Sequence, residues 1–332
     1  MPQAPLSSSQ PHGITTVDAH YVHPGYAAIH LIERDGRTAV VDTGTYHSVP
    51  HLSRVLAERG IAKRDVDMVF ITHVHLDHAG GAGRLLEELP NARAVAHPRA
   101  VPHLVDPTRL VEASRVVYGS ARFDELYGVV LPIDASRITS TRDLEQLQLG
   151  RSQFQVLHTP GHALHHHVLH DIDAAAVFTG DTFGLSYRML DSERGALVFP
   201  TTTPTQFDPE QLTASVDRIL ALRPRTLYLT HFGGVTDVAR LGASLKAQIR
   251  QCTEIARRHA GAADRQRAIH DELKRLWLDL SRDHGTKLEP QAFDDLLEND
   301  LELNAQGLVA WLERQARTTP DDAQGSVITA KQ

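Results

Sequence analysis

Seven consecutive residues, Thr72-His73-Val74-His75-Leu76-Asp77-His78, carry three imidazoles and a carboxylate. These are the donors that divalent transition metals take, so this density points to a metal site, or two adjoining ones, rather than to a solvated loop. Residues 67–71 (Asp-Met-Val-Phe-Ile) form a short apolar run that reads as a buried strand. Ala79-Gly80-Gly81-Ala82-Gly83 cannot continue it. The histidines therefore sit on a loop at a strand's carboxyl end. In an extended chain His73 and His75 fall on one side, and the turn that follows aims Asp77 and His78 elsewhere.

The elements that must hold this loop can be read around it. Strand-like patterns occupy residues 14–22, 26–33 and 38–41, with Asp35-Gly36 as a hairpin turn between the last two. The third ends in Asp42-Thr43-Gly44. Residues 49–59 have helical spacing and stop at Gly60. A short helix at 83–89 and a strand at 93–96 follow the loop. Residues 98–127 are mostly helical and long enough to wall a pocket. Strands are expected at 129–133, 147–149, 154–157, 168–170, 175–178 and 226–229, and a helix at 209–222. Three of these strands deliver a further donor just past their ends: His162 in Thr-Pro-Gly-His, Asp181 in Thr-Gly-Asp-Thr and His231 in Thr-His-Phe-Gly. Beyond residue 236 apolar residues recur at helical steps with no strand candidate. The expected organisation is a flexible leader at 1–13, a domain at 14–235, a helical region at 236–317 and a disordered tail at 318–332.

Composition narrows the classes. The chain has 332 residues, 41% hydrophobic and 23% charged, with a net charge of −7 and 21 histidines. No Lys/Arg stripe supports a nucleic-acid partner, and no apolar run approaches the ~18 residues that span a membrane. The single Cys252 excludes an intramolecular disulfide framework and a Cys-based zinc site. With no secretory signal pattern at the start, it fits a cytoplasmic protein.

The set His73-Val-His75-Leu-Asp77-His78, then His162, Asp181 and His231, with Asp42 ahead of them, resembles the metallo-β-lactamase superfamily, which includes glyoxalase II and the quorum-sensing lactonases. The resemblance covers about residues 14–235. It implies an α/β (α+β) class fold, an αββα sandwich of two mixed sheets with helices outside, carrying a helical C-terminal extension. It also implies two divalent metal ions about 3.5 Å apart, zinc first, with iron or manganese as alternatives. His73, His75 and His162 would hold one ion, Asp77, His78 and His231 the other, with Asp181 and a hydroxide bridging them. Asp42 would support the loop without touching metal, or else merely cap the turn at Thr43-Gly44. Two ions with seven protein ligands leave no vacancy, so His165, His166 and His167 are expected to be structural, with His166 or His165 hydrogen-bonding near the site.

The implied activity is hydrolysis of a small ester, thioester or lactone, with Asp77 as proton carrier beside Asp181. Tyr187, close behind Asp181, is a candidate donor to a substrate oxygen, and Arg188 a candidate carboxylate binder, although both are as readily explained by packing. The tail has no basic cluster resembling the glutathione-binding end of glyoxalase II. His75 stands where the di-iron flavoproteins carry an acid. Two other readings stay open: a non-hydrolytic iron protein that oxidises a thiol-type substrate or senses oxygen, and a regulatory effector acting through its tail. The stripe from Val238 to Ile255 is a candidate homodimer face, with packing on its own neighbours as the default. Specificity is expected to lie in residues 98–127, 183–204 and the tail.

Overall fold

The computed structural model describes residues 7–202 and 206–318. Seven strands form the first sheet in chain order: β1 (Ser7–Gln10), β2 (Ile14–Asp18), β3 (Ala28–Arg34), β4 (Arg37–Val41), β5 (Val66–Ile71), β6 (Arg93–Ala96) and β7 (Ile138–Ser140). The first four pair antiparallel and the rest in parallel. Six more make the second sheet: β8 (Gln146–Leu149), β9 (Ser152–His158), β10 (His167–Asp171), β11 (Ala176–Gly180), β12 (Thr226–Leu229) and β13 (Gly233–Val235). Of these, β11 and β12 are parallel and the other neighbours antiparallel.

Side-chain alternation along the strands builds two layers of core. Met68 and Phe70 of β5, Phe154 and Val156 of β9 and Phe178 of β11 meet between the sheets. The alternate residues Val69, Ile71, Val168 and Val177 face outward into a larger core shared with the helices. On the first sheet's side these are α1 (Val49–Glu58), α2 (Leu76–Ala79), α3 (Ala82–Glu88), α4 (Val101–Val105), α5 (Thr108–Tyr118) and α6 (Ser120–Tyr127). They are followed by α7 (Pro209–Ala221), α8 (Val238–Arg258), α9 (Arg265–His284) and α10 (Pro290–Thr318). Asp208 caps α7 by accepting from the amides of Glu210 and Gln211, and Gly285 ends α9 at φ 85°.

The αββα sandwich with its helical extension is thus present, with several corrections of detail. Ser7–Gln10, expected in a flexible leader, pairs with β2 as an edge strand. Residues 129–133 form no strand; the seventh strand is Ile138–Ser140 instead. β13 is hidden in sequence by its two glycines. The last helical stretch is one 29-residue helix. The expected disordered tail lies, from 319 onward, outside the described residues. No described helix is long and apolar enough to cross a membrane.

The C-terminal helices are not a separate unit. Leu241, Leu245, Ile249, Cys252 and Ile255 of α8 are buried in the same core as α1 and β5, so the stripe considered as a dimer face is already covered by its own chain. Trp277 of α9 is fully buried with its ring stacked on Phe199 at 4.3 Å. From α10, Asn304 accepts from the Thr202 hydroxyl at 2.6 Å.

One buried histidine away from the metal ligands makes stability depend on pH. His30 donates from Nε2 to the Leu229 carbonyl and accepts at Nδ1 from Thr16, both at 3.2 Å. Burial pushes its pKa down to about 4. Unfolded histidine protonates near 6.5, so between pH 6.5 and about 4 the unfolded chain binds a proton that the folded chain refuses. Stability is therefore lost as pH falls through that window, by up to about 3 kcal/mol from this residue. Denaturant midpoints measured in chelator should show that slope. A His30→Gln variant should make it shallower, the other buried neutral histidines keeping the remainder, and an unchanged slope would refute the assignment.

Candidate metal centre and its cavity

Strands β4, β5, β9, β11 and β12 all end at one edge of the sandwich. The next few residues of each bring the candidate donors together. Two groups form: His73, His75, His162 and Asp181, and Asp77, His78 and His231. In the first, His75 Nδ1 lies 2.9 Å from His73 Nε2 and 3.0 Å from His162 Nε2, and His162 Nε2 lies 3.4 Å from Asp181 Oδ2. In the second, Asp77 Oδ2 lies 3.3 Å from His231 Nε2 and 3.7 Å from His78 Nε2. Asp181 Oδ1 joins the groups, 3.2 Å from His78 Nε2 and 3.6 Å from His231 Nε2. All seven sequence candidates are therefore assembled.

The backbone makes this approach feasible at two glycines. Gly180 sits at φ +48° with no room for a Cβ, which would fall 2.6 Å from His166 Nε2 and 2.8 Å from Thr72. Gly161 sits at φ +130°, where a Cβ would meet the Leu212 amide nitrogen at 2.2 Å. Each glycine places the donor that follows it.

The other nitrogen of four ligand imidazoles is tied down. His231 Nδ1 donates to the Tyr26 carbonyl at 2.8 Å, His162 Nδ1 to the Thr201 carbonyl at 3.3 Å, and His78 Nδ1 to Asp42 at 2.8 Å. His73 Nδ1 lies 3.2 Å from the Thr72 hydroxyl. These bonds leave the Nε2 lone pairs aimed at the shared space, as metal ligation requires. Asp42 is fully buried and also accepts from the Thr72 amide at 2.8 Å and from the Thr72 and Thr230 hydroxyls at 2.9 Å. It binds three strand ends together rather than only capping its own turn.

His165, His166 and His167 reach back to the same loop. His166 Nε2 accepts the Asp181 amide at 3.1 Å and its Nδ1 bonds Thr159 at 2.9 Å, fixing the backbone of the shared carboxylate. His167 Nε2 donates to the Ile71 carbonyl at 2.7 Å, and His165 Nδ1 accepts the Val74 amide at 3.4 Å.

The electrostatics divide the two groups. Burial and neighbouring imidazoles hold His73 well below its ordinary pKa and His75 down at about 3, and burial also lowers His162. These three are neutral, the form that ligates metal. Burial opposes charge on His78 and His231 as well, but Asp181 and Asp77 beside them prevail, taking His78 well above its usual value and His231 up to about 9. His78 in turn holds Asp77 down at about 2 against the effect of burial. Two buried atoms at the centre, His78 Nε2 and Asp181 Oδ1, have no hydrogen-bond partner. Orphaned polar atoms in a cluster of lone pairs fit bound cations.

The centre forms the floor of a cavity of about 290 Å³. Tyr187 does not line it: its hydroxyl donates to Asp300 at 3.1 Å, behind Tyr26. Arg188 bonds the Ser186 carbonyl and pairs with Asp191 at 3.3 Å. The walls are instead Tyr21, Tyr26, Tyr118 and Tyr127, apolar residues of α5 such as Leu110 and Val117, and Asn299, Asp300 and Leu303 of α10. Specificity was expected in 98–127, 183–204 and the tail; the first and last supply most of this wall, 183–204 supplies Thr201, and the tyrosines and Asp300 had no sequence signal. Tyr21 and Tyr127 share a 2.7 Å hydroxyl contact across 106 residues of sequence, which no local pattern signals.

Comparison with known proteins agrees with this geometry. The chain is 26% identical over 218 residues to a metallo-β-lactamase fold-containing protein of Sulfurisphaera tokodaii, covering 64% of this chain and 75% of that one. It is 30% identical over 180 residues to an acyl-coenzyme A thioesterase of Gallus gallus (51% and 62% covered). It is 28% identical over 160 residues to a probable hydroxyacylglutathione hydrolase of Schizosaccharomyces pombe (47% and 48% covered). The chain thus spans less than two thirds of the last two relatives. Among solved structures, a metallo-β-lactamase superfamily protein from Sulfolobus tokodaii aligns over 90% of this chain and 99% of its own, with a TM-score of 0.64 at 20% identity. One from Thermus thermophilus aligns over 92% and 94%, with a TM-score of 0.63 at 20% identity. The family model of the metallo-β-lactamase superfamily matches residues 23–231, from the tyrosine-bearing loop before β3 to the last of the seven donors, and the chain belongs to that superfamily.

Proposed function

We propose that this protein is a metal-dependent hydrolase of a small ester, thioester or lactone. The observation that carries the reading is the shared carboxylate of Asp181, which joins two sets of buried donors on the floor of an apolar-walled cavity. Relatives named as a thioesterase and as hydroxyacylglutathione hydrolases support it. Zinc is the first assignment, with iron and manganese compatible with the same nitrogen and oxygen donors. Bound there, two divalent ions would supply Lewis-acid polarisation of a carbonyl and lower the pKa of water.

The chain's own contribution is positioning and proton handling. Asp77 is half-buried and borders the cavity, where its carboxylate is placed to pass a proton to a leaving group. The tyrosines and the α10 residues wall the cavity above the floor. The tail therefore belongs to the site, which weakens the separate-effector reading.

Metal analysis combined with a screen of esters, thioesters and lactones tests the proposal. About two ions per chain are expected, with turnover of at least one class abolished by chelation and restored by zinc. Turnover indifferent to chelation would overturn it. An iron-coloured protein that cleaves none of the three classes would replace it with the non-hydrolytic reading.

A further inference from the structure

Asp300 is a carboxylate whose oxygens are hydrogen-bonded by two neutral hydroxyls, with the His231 imidazole acting on it through space. It lies on α10, is 8% exposed, and lines the cavity above the metal centre. Its Oδ1 accepts from the Tyr26 hydroxyl at 2.9 Å and its Oδ2 from the Tyr187 hydroxyl at 3.1 Å. No lysine or arginine pairs with it among the described residues. Burying a carboxylate on neutral donors alone is costly, and burial accordingly raises its pKa to about 7. Each oxygen retains a lone pair for one more donor.

Beside it the wall is aromatic. Tyr21 and Tyr26 meet edge to face at 5.7 Å, Tyr21 and Tyr127 lie 5.7 Å apart, and Tyr118 and Tyr127 meet at 5.5 Å. Aromatic faces beside a carboxylate attract organic cations. Arg109 is the one Arg or Lys among the described lining residues, and it is exposed on α5. Asp300 is in neither donor group: it is bonded to the far end of the Tyr26 side chain, whose backbone carbonyl accepts from His231, and His231 and Asp181 act on it through space.

We propose that Asp300 and the tyrosine wall form a subsite for an organic ammonium group, so that the preferred substrates are small esters, thioesters or lactones carrying a positively charged nitrogen. This rests on the hydrolase reading for the bond cleaved, but not for the binding. The ligand supplies the ion-pair partner that no described lysine or arginine gives Asp300.

The test compares a cation with its neutral isostere on the zinc-loaded, full-length protein. Acetylcholine and 3,3-dimethylbutyl acetate differ only by nitrogen for carbon, and choline and 3,3-dimethylbutanol are the matching non-reacting probes. The wild type is expected to favour acetylcholine in kcat/KM by about tenfold, the scale of a desolvated cation–aromatic contact. Choline, and not the neutral alcohol, is expected to raise its melting temperature. Both preferences should disappear in Asp300→Asn. If that variant fails to fold, Tyr118→Leu on the half-buried ring provides the same readout. Choline binding in preference to the neutral alcohol, without cleavage of either ester, would support the subsite and show only that these two acetates are not the bond cleaved. Equal treatment of cation and isostere by the wild type, in binding and in turnover, would overturn the subsite.

Discussion

Replacing Asp181 with alanine is expected to remove metal from both positions and lower kcat/KM by at least about 10³-fold, the scale seen when a member of a catalytic unit is deleted. The reason is geometric. One oxygen faces His162 of the first group, and the other faces His78 and His231 of the second. The backbone around it is held independently, by His166 at the Asp181 amide and by the Thr201 hydroxyl donating to its carbonyl at 2.9 Å. The variant should therefore fold while losing its ions. His75→Ala, which removes the nitrogen lying between His73 and His162, should empty the first position in the same way. Metal content by elemental analysis, read beside far-ultraviolet circular dichroism, checks both. A variant that keeps two ions and full turnover would contradict the assignment of the shared carboxylate.

Asp42→Ala should be as damaging by another route. Asp42 touches no other member of the donor groups than His78, yet it accepts hydrogen bonds from that imidazole, from the Thr72 amide and hydroxyl, and from Thr230. All of these donors are buried. Its removal leaves several unsatisfied at once and should cost about 3–5 kcal/mol of stability, as breaking a buried charged network does. It also frees the His78 ring to rotate and change tautomer, so affinity at the second position should fall about 10–100-fold. Competition with a chromophoric chelator and denaturant unfolding of the metal-free protein measure the two effects separately. Asp42→Asn should recover part of the stability but little of the affinity, because an amide cannot accept from all of these donors.

The contrast between these residues and the cavity wall shows what local sequence encodes. Every metal donor follows a strand whose apolar run is visible, and each has a polar or glycine-bearing neighbour marking the turn. Asp42 was ambiguous, because its partners lie on β5 and β12 and a turn aspartate looks the same without them. The second-sheet edge was illegible for a different reason: Gly233-Gly234-Val235 pairs through backbone bonds, with little apolar pattern to announce a strand. In residues 129–133 only Ile133 is buried and Val129 is exposed, so the apolar composition mimicked a strand that the backbone does not form. The wall was the least legible. Tyr26 and Asp300 meet across 274 residues, and an aspartate in a helical pattern reads as a solvated face until the packing is known.

Because α10 closes the cavity, the order in which the chain is made separates the donors from part of their wall. All seven metal donors have been synthesised by His231, while Asn299, Asp300 and Leu303 emerge only later. The donors are therefore complete in sequence long before the wall above them. Because α8 to α10 share their core with α1 and β5, a chain ended before them would lose packing beneath the donors together with the cavity wall.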